Sequence, residues 1–360
     1  MTPGMTADTV RSLEAAGITY VDFFELQMSE LSSRLGGGDH SRFQNLDRQE
    51  ALFRAKKEFE FVSRHSIRVL FLLDDDYPVL LREIPDAPVV LYVIGNANLN
   101  AVPSLAMVGT RKCTAYGTSF CGSFVSDIAS YYPDAVIFSG LAYGIDASSH
   151  IAALDNGLKT VAVVAHGLDT IYPAAHRDLA RRIIASGGAI VSEYPSGTRP
   201  FQRNFLERNR IVAGLSELTF VIESEVRGGA MSTANQAFSY NREVFALPGR
   251  YTDTTSSGTN MLIARNKARI FTSVADLMNC MQWKIPSLNN ARPPQKNLFP
   301  ELQGDQAKLY EILRKKKMPM SVDELHIATH LSMPSLMSAI TELEFDGVVT
   351  RLPGARYEAL

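Results

Sequence analysis

The sequence has no CxxC pair: Cys113, Cys121 and Cys280 stand singly in 360 residues. They supply neither a zinc framework nor a disulfide framework, and such usage is expected of a reducing compartment, the cytoplasm. No run approaches the roughly 20 apolar residues that cross a bilayer, and Met1–Gly17 lacks the apolar stretch of a secretory signal, so neither a membrane role nor export is expected. An excess of either charge is missing too, since 36 basic residues face 38 acidic ones for a formal net charge of -2. No long-range field then draws the whole protein onto nucleic acid, and any polyanion site has to be a local patch. The chain carries no GxxxxGK[ST], which excludes a P-loop motor, and no GxSxG elbow. His326 and His330 lie four apart, but Ile327 stands where HExxH needs Glu, so no metal and no cofactor is expected.

What is present divides into zones, and the length suits two or three domains. Residues 1–66 read as a small helical domain: Ala7–Ala16, Tyr20–Leu35, then a charged helix over Asp47–Ser63 after the break at Gly36-Gly37-Gly38. Over residues 67–281, apolar runs (one ending at Val108, then Ala135–Ser139, Thr160–Ala165, Ala189–Ser192, Leu218–Ile222 and Glu243–Leu247) alternate with helical stretches such as Ala115–Ala129 and Ala174–Ala185. Continuous apolar strands joined by helices are what a parallel sheet buried on both faces requires, so the expectation is an α/β, Rossmann-like doubly wound sheet. Ligands of such sheets sit at the carboxyl ends of the strands. Residues 282–300 hold four Pro and three Asn and read as a linker. Asp305–Lys315, Val322–Thr329 and Ser332–Phe345 as helices, with Val348–Arg351 and Tyr357–Ala359 as strands about Pro353-Gly354, describe a winged helix over 301–360. Its seven basic and nine acidic residues are a poor footprint for DNA reading, and a protein-contact module fits at least as well.

The loops after the strands carry the chemistry. Gly109-Thr110-Arg111-Lys112 occupies the place of a GxGxxG turn, but Arg111 stands where a second Gly would let the backbone approach a pyrophosphate. Arg111 and Lys112 beside a helix N-terminus suit an exposed phosphate; the alternative is a solvated basic turn. In Ser139–His150 the glycines Gly140 and Gly144 allow a tight turn, Asp146 is expected to cap a helix beginning at Ala147, and His150 to be a surface or core residue of that helix rather than part of a triad. Arg199–Arg210 has four Arg against one Glu, interleaved with Phe201 and Phe205. Flat rings among guanidiniums are what a single-strand groove uses to stack bases while tracking phosphates; an Arg-rich helix face with Phe205 in the core is the competing account. Gly228, Gly229, Ser232 and Thr233 open a further helix as a candidate anion turn, with Asn235 where related nucleotide-processing turns carry an acid. An amide there cannot serve as nucleophile or base.

Together these stretches resemble the DprA/Smf family: DDYP and PVVLYVIG at 75–78 and 88–95, VGTRKCTAYG at 108–117, SGLAYGIDASSH at 139–150, GLDTIYP at 167–173, residues 188–195, FLERNRIVAGLS at 205–216, residues 229–237, REVFALPG at 242–249 and residues 258–263. They follow family order through nearly the whole central region. The terminal zones are similar to the family's SAM or helix-hairpin-helix module and to its winged helix. The resemblance implies an extended Rossmann domain that binds single-stranded DNA without catalysis, forms a homodimer through that domain, and protects incoming strands in natural transformation while loading a RecA-type recombinase. The residues it assigns to DNA are Gly109, Thr110, Arg111, Lys112, Gly140, Phe201, Arg203, Asn204, Arg208, Asn209 and Arg210. Ala165-His166 and Asn266-Lys267-Ala268 depart from the family's Gly-rich turns, which leaves those two turns without an assigned role. Two rivals stay open: a nucleotide or nucleoside hydrolase on the same fold, disfavoured by Asn235, and a winged-helix transcription regulator, disfavoured by the acidic last domain.

Overall fold

The computed structural model describes residues 5–35, 47–283, 304–316, 319–345, 348–352 and 356–359. The chain forms two compact units, 1–286 and 287–360. In the first, helices α1 (Ala7–Ala15), α2 (Tyr20–Glu25), α3 (Met28–Arg34) and α4 (Arg48–Arg64) precede β1 (Arg68–Phe71), α5 (Val79–Arg82), β2 (Val90–Gly95) and β3 (Ser104–Val108). Then come α6 (Ala115–Tyr131), β4 (Val136–Ser139), α7 (Ile145–Asp155), β5 (Lys159–Val163), α8 (Arg177–Ala185), β6 (Ala189–Ser192), α9 (Gln202–Gly214) and β7 (Leu218–Val221). The unit ends with α10 (Gly229–Ser239), β8 (Glu243–Ala246), α11 (Ser257–Ala264), β9 (Arg269–Ile270) and α12 (Val274–Met281).

The expected single helix over Tyr20–Leu35 is two, because Leu26 and Gln27 are extended. Thr19 caps the first through a reciprocal capping box with Asp22. Leu13, Ile18, Phe23 and Leu31 give these helices a small core, while Ala7 and Val10 join the core of the sheet. The broken segment 36–38 lies outside the described residues.

One nine-stranded sheet runs β1-β2-β6-β5-β4-β3-β7-β8-β9 among the described residues. From β6 to β9 every pairing is parallel, as the apolar runs require, but β2 is antiparallel to β6 and β1 to β2. The sheet is therefore mixed rather than wholly parallel. Its strands alternate between two cores: Ala106, Val108, Val136 and Phe138 lie in one, Leu105, Met107 and Ile137 in the other. Burial on both faces is the reason for their unbroken apolar sequence. The chain winds outward from β3 through β4, β5 and β6, then returns to β7 on the other side of β3. That reversal makes a switch point between the loops after β3 and β7.

The second unit contains α13 (Gly304–Lys316), β10 (Met320–Ser321), α14 (Val322–Thr329), α15 (Met333–Phe345), β11 (Val349–Leu352) and β12 (Arg356–Ala359), with the three strands in the order β10-β12-β11. Strand β10 was not legible in the sequence, being two residues long. Leu309, Leu313, Leu325, Leu336, Ile340 and Leu343 form its core. The linker segment 284–300 and the Pro353-Gly354 turn lie outside the described residues. His330 ends α14 in a left-handed conformation, and no group of metal-binding side chains occurs among the described residues. No described helix is long and apolar enough to cross a membrane.

Candidate nucleic-acid interface

At the switch point the seat that a dinucleotide pyrophosphate would use is taken by the protein itself. The buried Glu223 carboxylate accepts from the Thr114 amide at 2.8 Å and from its hydroxyl at 2.5 Å, at the N-terminus of α6. A Cβ on Gly117 would collide with that carboxylate. With the helix end neutralised from within, an anion has no seat at these amides, and Arg111 and Lys112 stay outside, exposed to solvent.

The Arg111 guanidinium lies 5.5 Å from the ring centroid of Phe205 on α9, and the exposed Tyr172 packs tilted against the same ring at 5.7 Å. Phe205 is thus partly buried under an arginine, between the two expectations of free stacking ring and core residue. Phe201, just before α9, is 62% exposed and free to stack. Arg203 reaches solvent while holding Glu207 at 2.6 Å, and that hydrogen bond and charge push its pKa up. Asn204 donates to the carbonyls of Ala165 and Arg199, and Asn209 donates to that of Gly229, so the two amides pin α9 to neighbouring loops and to the start of α10. Lys112 donates its backbone amide to the Thr110 hydroxyl.

Two arginines assigned to DNA are withdrawn from this surface. Arg208 is buried, donates to the Val163 carbonyl and covers Gly140 so closely that a Cβ there would overlap its guanidinium. Arg210 is paired with Glu193 and approaches Asp86 at 3.9 Å, with its side chain 15% exposed. The sequence showed four arginines in one segment; the fold turns the second half of α9 inward, where Ile211, Val212 and Gly214 are buried and Gly214 abuts Leu81 and Ile84.

Asp146 does not cap its helix. Gly144 occupies that position with φ +77°, and Asp146, in the first turn of α7, turns back to accept from the amides of Gly140 and Ala142 at 3.1 and 3.3 Å. Burial pushes its pKa up, against the opposing pull of Arg208 and these amides; burial likewise pushes Arg208 down, against the pull of Asp146. His150 is a core residue, bonded to the Thr160 hydroxyl at 2.7 Å, and its pKa is pushed down to about 3, mainly by burial. His166, in one atypical turn, accepts from the Tyr172 amide at Nε2 and donates from Nδ1 to the Gly167 carbonyl, so it braces the loop that presents Tyr172. In the other, Lys267 donates to Asn235 at 2.8 Å, filling the place of a catalytic acid with an amide held by a lysine.

Of the candidate anion turn, Gly229 faces open space, Ser232 is half-buried and Thr233 is buried. Sequence reasoning missed Tyr143 and Tyr172, 49% and 44% exposed after β4 and β5, because nothing in AYG or IYP tells which way a ring points.

The comparisons with known proteins agree with this architecture. The family described as DNA recombination-mediator protein A matches residues 68–282, and the DprA winged helix domain matches residues 292–355. DNA processing protein DprA of Streptococcus pneumoniae is 40% identical over 222 residues, 62% of this chain and 75% of that one. The putative DNA processing protein DprA of Mycobacterium tuberculosis is 34% identical over 308 residues, 82% of this chain and 78% of that one. Among solved structures, the X-ray structure of S. pneumoniae DprA covers 76% of this chain and 98% of its own at 33% identity and a TM-score of 0.60. DNA processing protein A of Helicobacter pylori, whose structure is described for a single-stranded DNA binding mode, covers 61% of this chain and 97% of its own at 30% identity and a TM-score of 0.54. With its central sheet, its winged helix and most of its length matched in this way, the chain belongs to the DprA/Smf family of DNA processing proteins.

Proposed function

We propose that this chain binds single-stranded DNA along the loops at the carboxyl ends of β3, β5 and β6 and delivers it to a RecA-type recombinase in the cytoplasm, without catalysis of its own. The observation that carries this reading is the exposed Arg111 guanidinium seated on Phe205 beside exposed Phe201 and Arg203, over a helix N-terminus already filled by Glu223. Such a surface offers rings and guanidiniums to an extended polyanion and no seat to a buried nucleotide. Gly109, Thr110 and Gly140 serve as the close-packed floor, and Gly228, Gly229 and Ser232 as a secondary anion contact. The solved H. pylori relative supports the choice of ligand. Functional boundaries near residues 66, 281 and 300 belong to the same proposal.

The second unit fits duplex reading poorly: from 319 to 345, across α14 and α15, there is no Lys or Arg and there are four carboxylates.

The Arg and the Phe should separate by salt. Each neutralised single-strand phosphate releases about 0.7 of a counterion, so Arg203→Ala should flatten the log K against log salt slope for oligo-dT by about 0.7. Phe201→Ala should lose about 1–3 kcal/mol of stacking at an unchanged slope. Fluorescence anisotropy over a salt series measures both, and equal slope changes would contradict this division.

Delivery needs a partner, because the chain has no P-loop. A homodimer through the sheet is part of the proposal: β9 is a two-residue open edge, with Ile270 and Phe238 each 48% exposed nearby. Two linked sites raise strand affinity through effective concentration. ATP hydrolysis by the host's own recombinase, on strands precoated with single-strand-binding protein, should rise when this chain is added. No stimulation by a folded, DNA-binding preparation would remove the loading role and leave strand binding standing.

A further inference from the structure

Arg208 and Asp146 are charges of opposite sign buried beneath the candidate interface, and both are shielded from solvent and from any strand lying on that surface. Asp146 holds the amides of Gly140 and Ala142; Arg208 lies against the α-carbon of Gly140 and donates to Val163 at the end of β5. The Gly140 turn is thus clamped between a carboxylate from α7 and a guanidinium from α9.

Each helix also holds one half of the Arg111–Phe205 pair: α9 carries Phe205, and α7 braces the loop that bears Arg111. On α9, Phe205 stands three residues before Arg208, nearly one turn away. At the start of α7, the Ile145 amide donates to the Thr110 carbonyl at 3.2 Å, and Gly144 presses against Thr110 and Arg111 so closely that a Cβ would overlap their backbone. A shift of α7 against α9 therefore changes the placement of the Arg111 loop relative to the Phe205 ring.

We infer that the buried Asp146 and Arg208 are positioning residues that set Arg111 against Phe205 for strand binding without touching DNA themselves. The inference rests on the single-strand reading and removes Arg208 from its list of contacts. A charge that acts only through the alignment of Arg111 should lower affinity and slope no further than the loss of Arg111 itself does, and should add nothing once Arg111 is gone.

The test is oligo-dT binding by anisotropy over a salt series for the full chain, Arg111→Ala, Arg208→Met, Asp146→Asn and the double variant Arg111→Ala/Arg208→Met. The carboxamide introduced by Asp146→Asn still offers an oxygen to the Gly140 amide, so this substitution removes the charge with little change of shape. Circular dichroism and melting establish that each variant is folded. Arg208→Met and Asp146→Asn should each bind about 3- to 30-fold more weakly, with a slope lowered by no more than in Arg111→Ala, and the double variant should match Arg111→Ala in affinity and slope, the non-additivity of residues acting as a unit. A double variant with additive losses and a slope about 0.7 below that of Arg111→Ala would make Arg208 a phosphate contact and overturn the inference. So would parent-like binding by Asp146→Asn, which decides the matter if Arg208→Met fails to fold. If the unmodified chain does not bind oligo-dT, the functional reading fails instead, and the two failures are told apart.

Discussion

Arg111→Ala is expected to weaken binding to single-stranded DNA by about 1–3 kcal/mol, roughly 5- to 150-fold, the range for losing a charge-assisted contact. Two features of the fold put this arginine first among the exposed cations. Its loop is immobilised from below, by the Ile145 amide on Thr110 and by Gly144 against the backbone, so little ordering remains to be done when a phosphate arrives. Its guanidinium already rests on Phe205, which holds the planar group where it can bond a phosphate and stack a base. The loss should include a slope decrease of about 0.7. Binding by a folded Arg111→Ala protein equal to that of the parent, in low and in high salt, would remove the β3 loop from the interface.

Arg210→Ala should instead act on stability, lowering it by about 2–4 kcal/mol, since removing one partner of a largely buried pair strands the other charge. The Glu193 side chain is 14% exposed, and burial pushes its pKa up against the pull of Arg210. Asp86, which Arg210 also approaches, accepts from the Tyr240 hydroxyl at 2.7 Å, so the arginine ties the end of β6 to the loop before β2 and to the end of α10. In the melting curve of the first unit this corresponds to a drop of roughly 3–7 °C. At temperatures where the variant is folded, its DNA affinity and salt slope should match the parent's. A parent-like melting temperature together with a flatter salt slope would return Arg210 to the DNA surface and refute the structural assignment.

Natural sequences signal some levels of this molecule far better than others. The apolar runs at 104–108, 136–139, 189–192 and 218–221 determined the central strands, because burial on both faces leaves each strand no polar residue beyond a single small hydroxyl, Ser104, Ser139, Ser192 or Thr219. The antiparallel strands β1 and β2 do not announce their direction or partner: β1, at the sheet edge, has a single fully buried position, and β2 is as apolar as its parallel neighbours. Arg111 in place of a glycine was enough to disfavour a bound dinucleotide, because a side chain at that position denies the close backbone approach. That Glu223, more than a hundred residues later, would occupy the vacated helix end could be known only once β7 was placed beside β3.

The arginines of α9 show the same division within a single helix. Composition determined that residues 199–210 are cationic and aromatic, and therefore that this segment faces something anionic somewhere along its length. It could not say where. Arg203 and Arg210 are seven residues apart and so share a helical face, yet one is 86% exposed and the other 15%. The tertiary structure decided between them: the first turns of α9 stand clear at the strand ends, while the later turns pack on the sheet, where a guanidinium needs a partner from a distant part of the chain, the Glu193 carboxylate for Arg210 and the Val163 carbonyl for Arg208. Periodicity records which residues lie on one side of a helix, but depth of burial depends on what the rest of the fold lays against it.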